Sequence, residues 1–415
     1  MRYLRYIFFV TLLIPIIANA SGGSLYTSVG LGDIYNSFSA RRMGIGELGV
    51  SVADIDHLSS YNPASWYRLG ITRIETGVSF NGASIDNGVN SAFYSQTTFS
   101  GFTVGFPVDH DNGVALVFGL VPFTNVNYEV RNPNFGTEIG DYNEIYQGYG
   151  GISKLYLGTS YKLPFNFIVG ASLDYYTGAI TNSSKLDFGD NSSNINAEFL
   201  KEKSYSGLGT TIGIISSDLS QIIGSESIKD LRLGLNFNYV SDLTTDSTLS
   251  TVSSTGTKVY EKGSFDTKIP FRFGAGFSFK LYDSYLFIAD YLFQPWSECV
   301  EGNSKSNSLR DLRRFSLGFE YRDQKSMLSG TFWEQIILRG GLSFEETKYE
   351  INSTGINQFS IHAGFGVPVG IGNYIDFAFE YGMRGETGIK LFKENFYKAA
   401  VSINFGELWF QRYDR

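Results

Sequence analysis

The chain has 415 residues and a single cysteine, Cys299, which excludes an intramolecular disulfide. A formal charge of −8 excludes a nucleic-acid binder that works by phosphate neutralisation. Aromatic residues make up 16% of the chain, with 27 Tyr and 35 Phe, and the 47 glycines exceed the usual share of roughly 7%. That combination suits long exposed strands whose aromatic girdles meet lipid headgroups.

In chain order, Arg2 and Arg5 precede an apolar run over 6–17, and Ala18, Asn19 and Ala20 follow it. This is the pattern of a secretory signal peptide cleaved after Ala20, so 1–20 is read as a leader and 21–415 as an exported chain. No later run reaches the roughly 18 apolar residues of a transmembrane helix. Within 41–66, RRMGIGELGVSVADIDHLSSYNPASW, the residues Gly44, Gly46 and Gly49 have the spacing G-x-G-x-x-G. A dinucleotide fingerprint needs a preceding strand and an acidic residue about 20 positions on. Residues 36–42 form no apolar strand, and Glu75, the first carboxylate after Asp56, comes too late, so the phosphate-loop reading fails.

From residue 69 onward the chain alternates. Leu231, Leu233, Leu235, Phe237 and Tyr239 share one face against Arg232, Gly234, Asn236 and Asn238. Phe271, Phe273, Ala275, Phe277 and Phe279 oppose Arg272, Gly274, Gly276, Ser278 and Lys280, and the pattern recurs over 314–322, 375–384 and 397–405. One face for lipid and one for a lumen is what a membrane barrel requires, and the segments reach the about 9 to 11 residues of a tilted span.

Such segments begin near Arg73, Ser91, Gly113, Gly148, Phe167, Lys203, Lys229, Tyr260, Ser284, Arg310, Gln335, Gly355, Asn373 and Glu394. The count predicts an all-β fold, a transmembrane antiparallel β-barrel of about 14 strands in the outer membrane, with both termini periplasmic. Long polar connections at 131–147, 181–202, 242–257 and 299–308 are expected outside, and short ones at 107–112, 163–166, 281–283 and 368–372 inside. A soluble sandwich or propeller is disfavoured, because no blade-like repeat is visible.

Residues 21–68 do not alternate, and fourteen strands enclose more space than side chains fill. A plug in the lumen follows, giving three parts: leader 1–20, plug 21–68 and barrel 69–415. The stretch ARRMGIGELGVSVADIDHLSSYNPASW resembles the N-terminal hatch of FadL-type outer-membrane channels for fatty acids and other hydrophobic compounds. It carries Ala40 and Arg41, the three glycines, Ala53 and Asp54, then Asn62, Pro63 and Ala64. The resemblance implies a barrel closed by a hatch, with Gly44, Gly46, Gly49, Asp54, Asn62, Pro63 and Ala64 as hatch or gate residues. It also implies passive entry of a hydrophobic ligand from outside and sideways release into the bilayer at a distorted third strand. Pro122, inside FGLVPFT, marks the lateral opening or else a bulge, since proline gives no donor to a sheet ladder.

The lumen face receives Asp174, Arg272, Asp290, Arg314, Glu320, Arg339, Asp376, Glu380 and Arg384. Mixed signs predict a paired network, with the alternative that Arg272, Arg314 or Arg339 receives a ligand carboxylate. Two other functions remain: a component of a protein secretion or assembly system, since PorV-like barrels are similar, and a general porin. The expected partners are outer-membrane lipid, a hydrophobic small molecule and the barrel assembly machinery, with secretion-system proteins under the second reading. His57, His110 and His362 are scattered and no Ser/His/Asp set converges, so neither an enzyme, a metal nor a cofactor is expected. The last strand should end near Phe405, with Trp409 and Phe410 at the interface.

Overall fold

The computed structural model describes residues 23–136, 140–189, 196–254, 256–323, 330–370, 372–388 and 391–408. The leader at 1–20 and the aromatics Trp409 and Phe410 lie outside the described residues. The N-terminal part holds β1 (Asp33–Ile34), α1 (Ala40–Gly44) and a 3₁₀ turn at Pro63–Arg68. Then follow β2 (Thr72–Asp86), β3 (Ser91–Asp109), β4 (Val114–Pro122), β5 (Thr124–Asn134), β6 (Tyr142–Lys162), β7 (Ile168–Asp187) and β8 (Ala197–Ile215). A short α2 (Ser220–Ile223) precedes β9 (Ile228–Val240), β10 (Leu243–Ser253), β11 (Gly256–Lys268), β12 (Arg272–Leu281) and β13 (Tyr285–Gln294). The chain ends with β14 (Val300–Glu301), β15 (Ser304–Lys305), β16 (Leu312–Tyr321), β17 (Ile337–Ile351), β18 (Thr354–Gly370), β19 (Asn373–Arg384) and β20 (Lys393–Glu407).

Several of these are halves of one span: β4 with β5, β9 with β10, and β11 with β12. Counted as spans, they form a closed antiparallel barrel of fourteen strands with extra short strands. The seam is the β2–β20 ladder, which runs from Thr72↔Glu407 to Asp86↔Lys393. Each expected segment has its span, with β3 starting at Ser91 and β19 at Asn373, as the alternation predicts.

Alternation puts Leu233, Leu235, Phe237 and Tyr239 on the exposed outer face of β9 and buries Arg232, Asn236 and Asn238 inside. Aromatic pairs cross the outer ladders, for example Phe365 with Phe377 at 4.9 Å and Tyr381 with Tyr397 at 5.3 Å. Such cross-strand contacts are the stabilising unit of a sheet. Leu231 departs from its outer-face expectation: it is buried, because the 216–227 connection binds its backbone through Asp218 and Leu219.

The polar stretches expected as outer loops are largely strand. β5 and β6 pair out to Asn134↔Tyr142, β7 and β8 to Leu186↔Ala197, and β10 and β11 to Ser253↔Gly256. Beyond a lipid band an apolar face brings no benefit, yet backbone groups still gain by pairing, so the ladders continue through Ser- and Asn-rich sequence. Residues 299–308 likewise contain the hairpin of β14 and β15.

Leu317, exposed on the outer face, should not tolerate charge. In liposomes, Leu317→Arg is expected to cost about 2–4 kcal/mol in urea unfolding. Thr257→Arg, on the projecting hairpin, should stay within about 0.5 kcal/mol.

Candidate functional site

Residues 38–66 are almost wholly buried inside the barrel. The wall makes room for them with inward-facing glycines. A Cβ on Gly234 would meet the Ser51 Cα at 2.6 Å, one on Gly318 the Ile45 carbonyl at 2.4 Å, and one on Gly341 the Gly46 nitrogen at 2.7 Å. Gly170 and Gly213 do the same for the Asn62–Ala64 turn. The backbone of the N-terminal segment thus rests directly on the backbone of the wall.

Charge fixes it there. The Arg41 guanidinium bonds Glu320 at 2.8 and 3.0 Å and also contacts Asp54. Glu320 also accepts from Arg339 at 2.8 Å, and Arg339 reaches Asp376. His57 lies between Asp56 and Asp376, its Nδ1 2.9 Å from the first carboxylate and its Nε2 2.8 Å from the second. Arg322 closes the chain by donating to Asp56 at 2.6 Å. Buried carboxylates and guanidinium groups are tolerable only when paired in this way. Burial disfavours the imidazolium, but Asp56 and Asp376 outweigh it and push His57 up to about 9.

The three glycines of the G-x-G-x-x-G spacing serve packing. Gly44 ends α1 against Gly364, where a Cβ on Gly44 would lie 3.3 Å from the Gly364 Cα. Gly46 and Gly49 have φ of 90° and 70°, which favours glycine. Arg42 fills the turn, donating from Nη1 to the Gly49 carbonyl at 2.9 Å and from Nη2 to Val52 at 3.2 Å. The Gly49 and Val50 amides are taken by Asp290 at 2.7 and 3.0 Å. A loop so filled, preceded by helix rather than strand, has no space for a phosphate.

Asn62 caps the Pro63–Arg68 turn by accepting from the Ala64 amide at 3.0 Å, and it donates to the Val50 carbonyl at 2.7 Å. Asp54 contacts both Arg41 and Arg42. Of the lumen charges, Arg314 pairs with Glu47 and Glu345 at 3.0 and 2.9 Å, Glu380 with Lys398 at 3.1 Å, and Arg384 with Asp33 and Glu394 at 2.9 and 2.8 Å. Asp174 accepts from Ser172 at 2.7 Å and lies 3.7 Å from Lys154. Arg272 bonds Gln294 at 3.2 Å and stacks over Phe123.

Sequence reasoning missed Arg42, Glu47, Asp56, His57, Arg322 and Lys398 as members of this lattice. A usable signal was present in the density of charge over 41–57, a segment read as buried.

At Pro122 the wall changes. β4 pairs with β3 as far as Phe102↔Leu120 and with β6 as far as Pro122↔Ser153. β5 then continues on β6, but among the described residues it forms no ladder with β3. Its other side meets β1 through Asp33↔Asn125 and Ile34↔Thr124, and Asn127 reaches Gln96 across the break at 2.8 Å. Just inside lies a cavity of about 30 Å³ lined by Phe38, Tyr61, Val121, Phe123 and Tyr176 among others. A larger cavity of about 140 Å³ lies beside the N-terminal segment, between Asp33, Arg314, Lys348, Arg384 and Lys398. Among the described residues, no group of three His, Cys, Asp or Glu side chains could hold a metal.

The fold is thus a closed antiparallel β-barrel with an exposed apolar belt, and residues 38–66 pack against the inward-facing side chains of its wall. The chain belongs to the BamG family, whose model matches residues 1–414. Among solved structures, it is similar to the toluene transporter TbuX of Ralstonia pickettii, with TM-score 0.58, 17% identity, and 90% of this chain and 99% of that chain covered. The toluene transporter TodX of P. putida gives TM-score 0.62 at 14% identity, covering 90% of this chain and 99% of that one. A Pseudomonas aeruginosa FadL homologue gives 0.54 at 11%, covering 83% and 92%. At such identities the likeness is one of fold. No curated protein matches the sequence.

Two outcomes follow from the lattice. Arg41→Met leaves Glu320 and Asp54 short of a buried partner and should lower unfolding stability by about 3–5 kcal/mol in urea. His57 has a raised folded pKa, so its contribution is complete below the unfolded value of about 6.5 and is lost as pH rises through about 9. Hydrogen exchange over 54–60 should therefore accelerate across that window, beyond the ordinary base-catalysed rise, and His57→Gln should abolish the excess.

Proposed function

We propose that the protein is an outer-membrane channel for small lipophilic molecules, with residues 21–68 as its hatch and the wall break at Pro122 as a side exit. The observation that carries this reading is the loss of β3–β5 pairing immediately after Leu120, next to a small lumen cavity that mixes Phe38, Phe123 and Tyr176 with Lys154, Asn238 and Arg272. Proline contributes no N–H, and the chain leaves one ladder at that residue while keeping the other. A hairpin rim opposite the chain termini then faces outward, and both termini lie in the periplasm. Ligand enters at the rim, passes the hatch by diffusion and leaves sideways into lipid. The named toluene transporters of the same fold support the lipophilic class. A general porin is disfavoured by the buried segment that crosses the lumen. Insertion would depend on the barrel assembly machinery.

A second reading is a protein secretion or assembly component whose lumen stays shut. It is favoured by the density of ion pairs that hold 41–57 to the wall and by the hairpin of β10 and β11, exposed on both faces over 256–263. That hairpin offers strand backbone to a protein partner.

The two separate in one experiment. In a Cys299→Ser background, Gln96→Cys and Asn127→Cys would be joined across the break by a short bifunctional thiol reagent. The channel reading expects saturable uptake of toluene into liposomes that falls about tenfold or more on bridging. Uptake that persists when the bridge is complete rules out the side exit. Absence of uptake, with a stable protein partner on purification, favours the second reading.

A further inference from the structure

The outer face of the barrel is not evenly filled. Two depressions of about 690 and 560 Å³ lie on the outside of β12, β13, β16, β17 and β18, and they share Phe277, Ala289, Leu317 and Leu342. Strand register explains the relief. Ala289 stands opposite Phe277 on one side and Leu317 on the other, and Gly340 stands opposite Phe319 and Ala363. Small residues thus form the floor of one continuous groove between large ones. A Cβ on Gly340 would meet nothing within 4 Å, so the space there is open and no close approach of chains requires the glycine. Apolar groups surrounded by lipid gain nothing from the hydrophobic effect, but an unfilled gap forfeits dispersion contacts. A slender apolar chain laid in the groove restores them.

The groove also has a polar end. Phe315 lines the larger depression, and Arg313 lies two residues beyond it on the same face of β16, about 7 Å further toward the hairpin rim. Arg313 stands opposite Glu346 of β17, with 3.5 Å between its Nη1 and the carboxylate. The two side chains are 51% and 38% exposed, so this is a loose surface pair of little strength, open to exchange of partners. A guanidinium suits a phosphate, and a carboxylate suits an ammonium that can donate hydrogen bonds. One cation beside one anion complements a head group that carries one charge of each sign. A head group with negative charge alone would meet Glu346.

We propose that this groove is a binding site for a diacyl phospholipid whose head carries a phosphate and a primary ammonium. The phosphate lies on Arg313, the ammonium on Glu346, and one acyl chain runs over Ala289 and Gly340. Lipid touches the whole of such a wall, whereas a groove with a matched polar end selects one kind of it. The site lies outside the lumen and depends on neither reading of what the lumen does.

The test uses the full chain in maltoside micelles, titrated with phosphatidylethanolamine or with phosphatidylglycerol of the same acyl chains and followed by native mass spectrometry. Phosphatidylethanolamine is expected to be retained about tenfold more tightly, the difference expected for one charged hydrogen bond. Glu346→Gln should bring the two lipids level, and Arg313→Gln should weaken both. Ala289→Phe and Gly340→Leu, which fill the floor, should each lower retention of phosphatidylethanolamine about tenfold. Both put an apolar side chain on a lipid face, so the barrel should still fold, as its heat-dependent migration on gels will report. Equal retention of the two lipids by the unmodified chain would overturn the proposal without recourse to any variant. So would a preference that survives Glu346→Gln, or retention that Ala289→Phe and Gly340→Leu both leave unchanged.

Discussion

Glu320 shows the constraint on which the interior depends: a carboxylate on a barrel strand, removed from water, must be answered by charges from somewhere. It is answered by Arg339 on the next strand and by Arg41 on the N-terminal segment. The same holds at Asp376, shared by Arg339 and His57. Some pairs close within the wall, as Glu380 with Lys398, and some within the segment, as Arg41 with Asp54, but Glu320 and Asp376 draw partners from both. Folding of 38–66 into the lumen is thereby coupled to the electrostatics of β16, β17 and β19, in addition to the contact area that the glycines permit.

This coupling has a counterpart where it is absent. Around Pro122 the described residues form no ladder between β3 and β5, and Gln96 accepts across the break from Asn127 and Asn125, with the two-residue β1 alongside. The barrel is thus tightly knit where the charge lattice lies and loosely knit where the smaller cavity abuts the wall. The larger cavity lies between these regimes, bounded by paired Arg384 and Arg314 and by the unmatched Lys348. Both cavities touch the N-terminal segment at Tyr35, Asn36, Ser37 and Phe38, so any movement of that stretch changes both at once.

Much of this architecture was legible in the sequence because alternation is enforced by lipid. Leu233, Phe237, Phe315 and Phe379 had to face outward, and once they did Arg232, Asn236, Arg314 and Glu380 had to face in. Legibility failed where lipid no longer enforces the pattern. Strand ends such as Tyr142 and Ala197 lie six residues before the positions that apolar alternation marks, at Gly148 and Lys203, because backbone pairing continues without it. Pro122 stood out because proline is chemically conspicuous in a ladder. Pairing partners were illegible for a different reason: Arg41 and Glu320 are 279 positions apart, and nothing local to either names the other. Arg42 and His57 were overlooked because their roles arise only from the folded path of 38–66. The G-x-G-x-x-G spacing misled in the opposite direction, since close packing and phosphate binding ask for the same absent side chain.

The strands are of very unequal length. β6, β7 and β8 run for 21, 20 and 19 residues, whereas β13 and β16 have 10 each. At a rise of about 3.3 Å per residue the first group measures roughly twice the second along the strand. The mouth is therefore bounded by a tall parapet on one flank and a low sill on the other. A large molecule that approaches from solution meets the high flank first, whereas a small one can cross the low sill into the mouth.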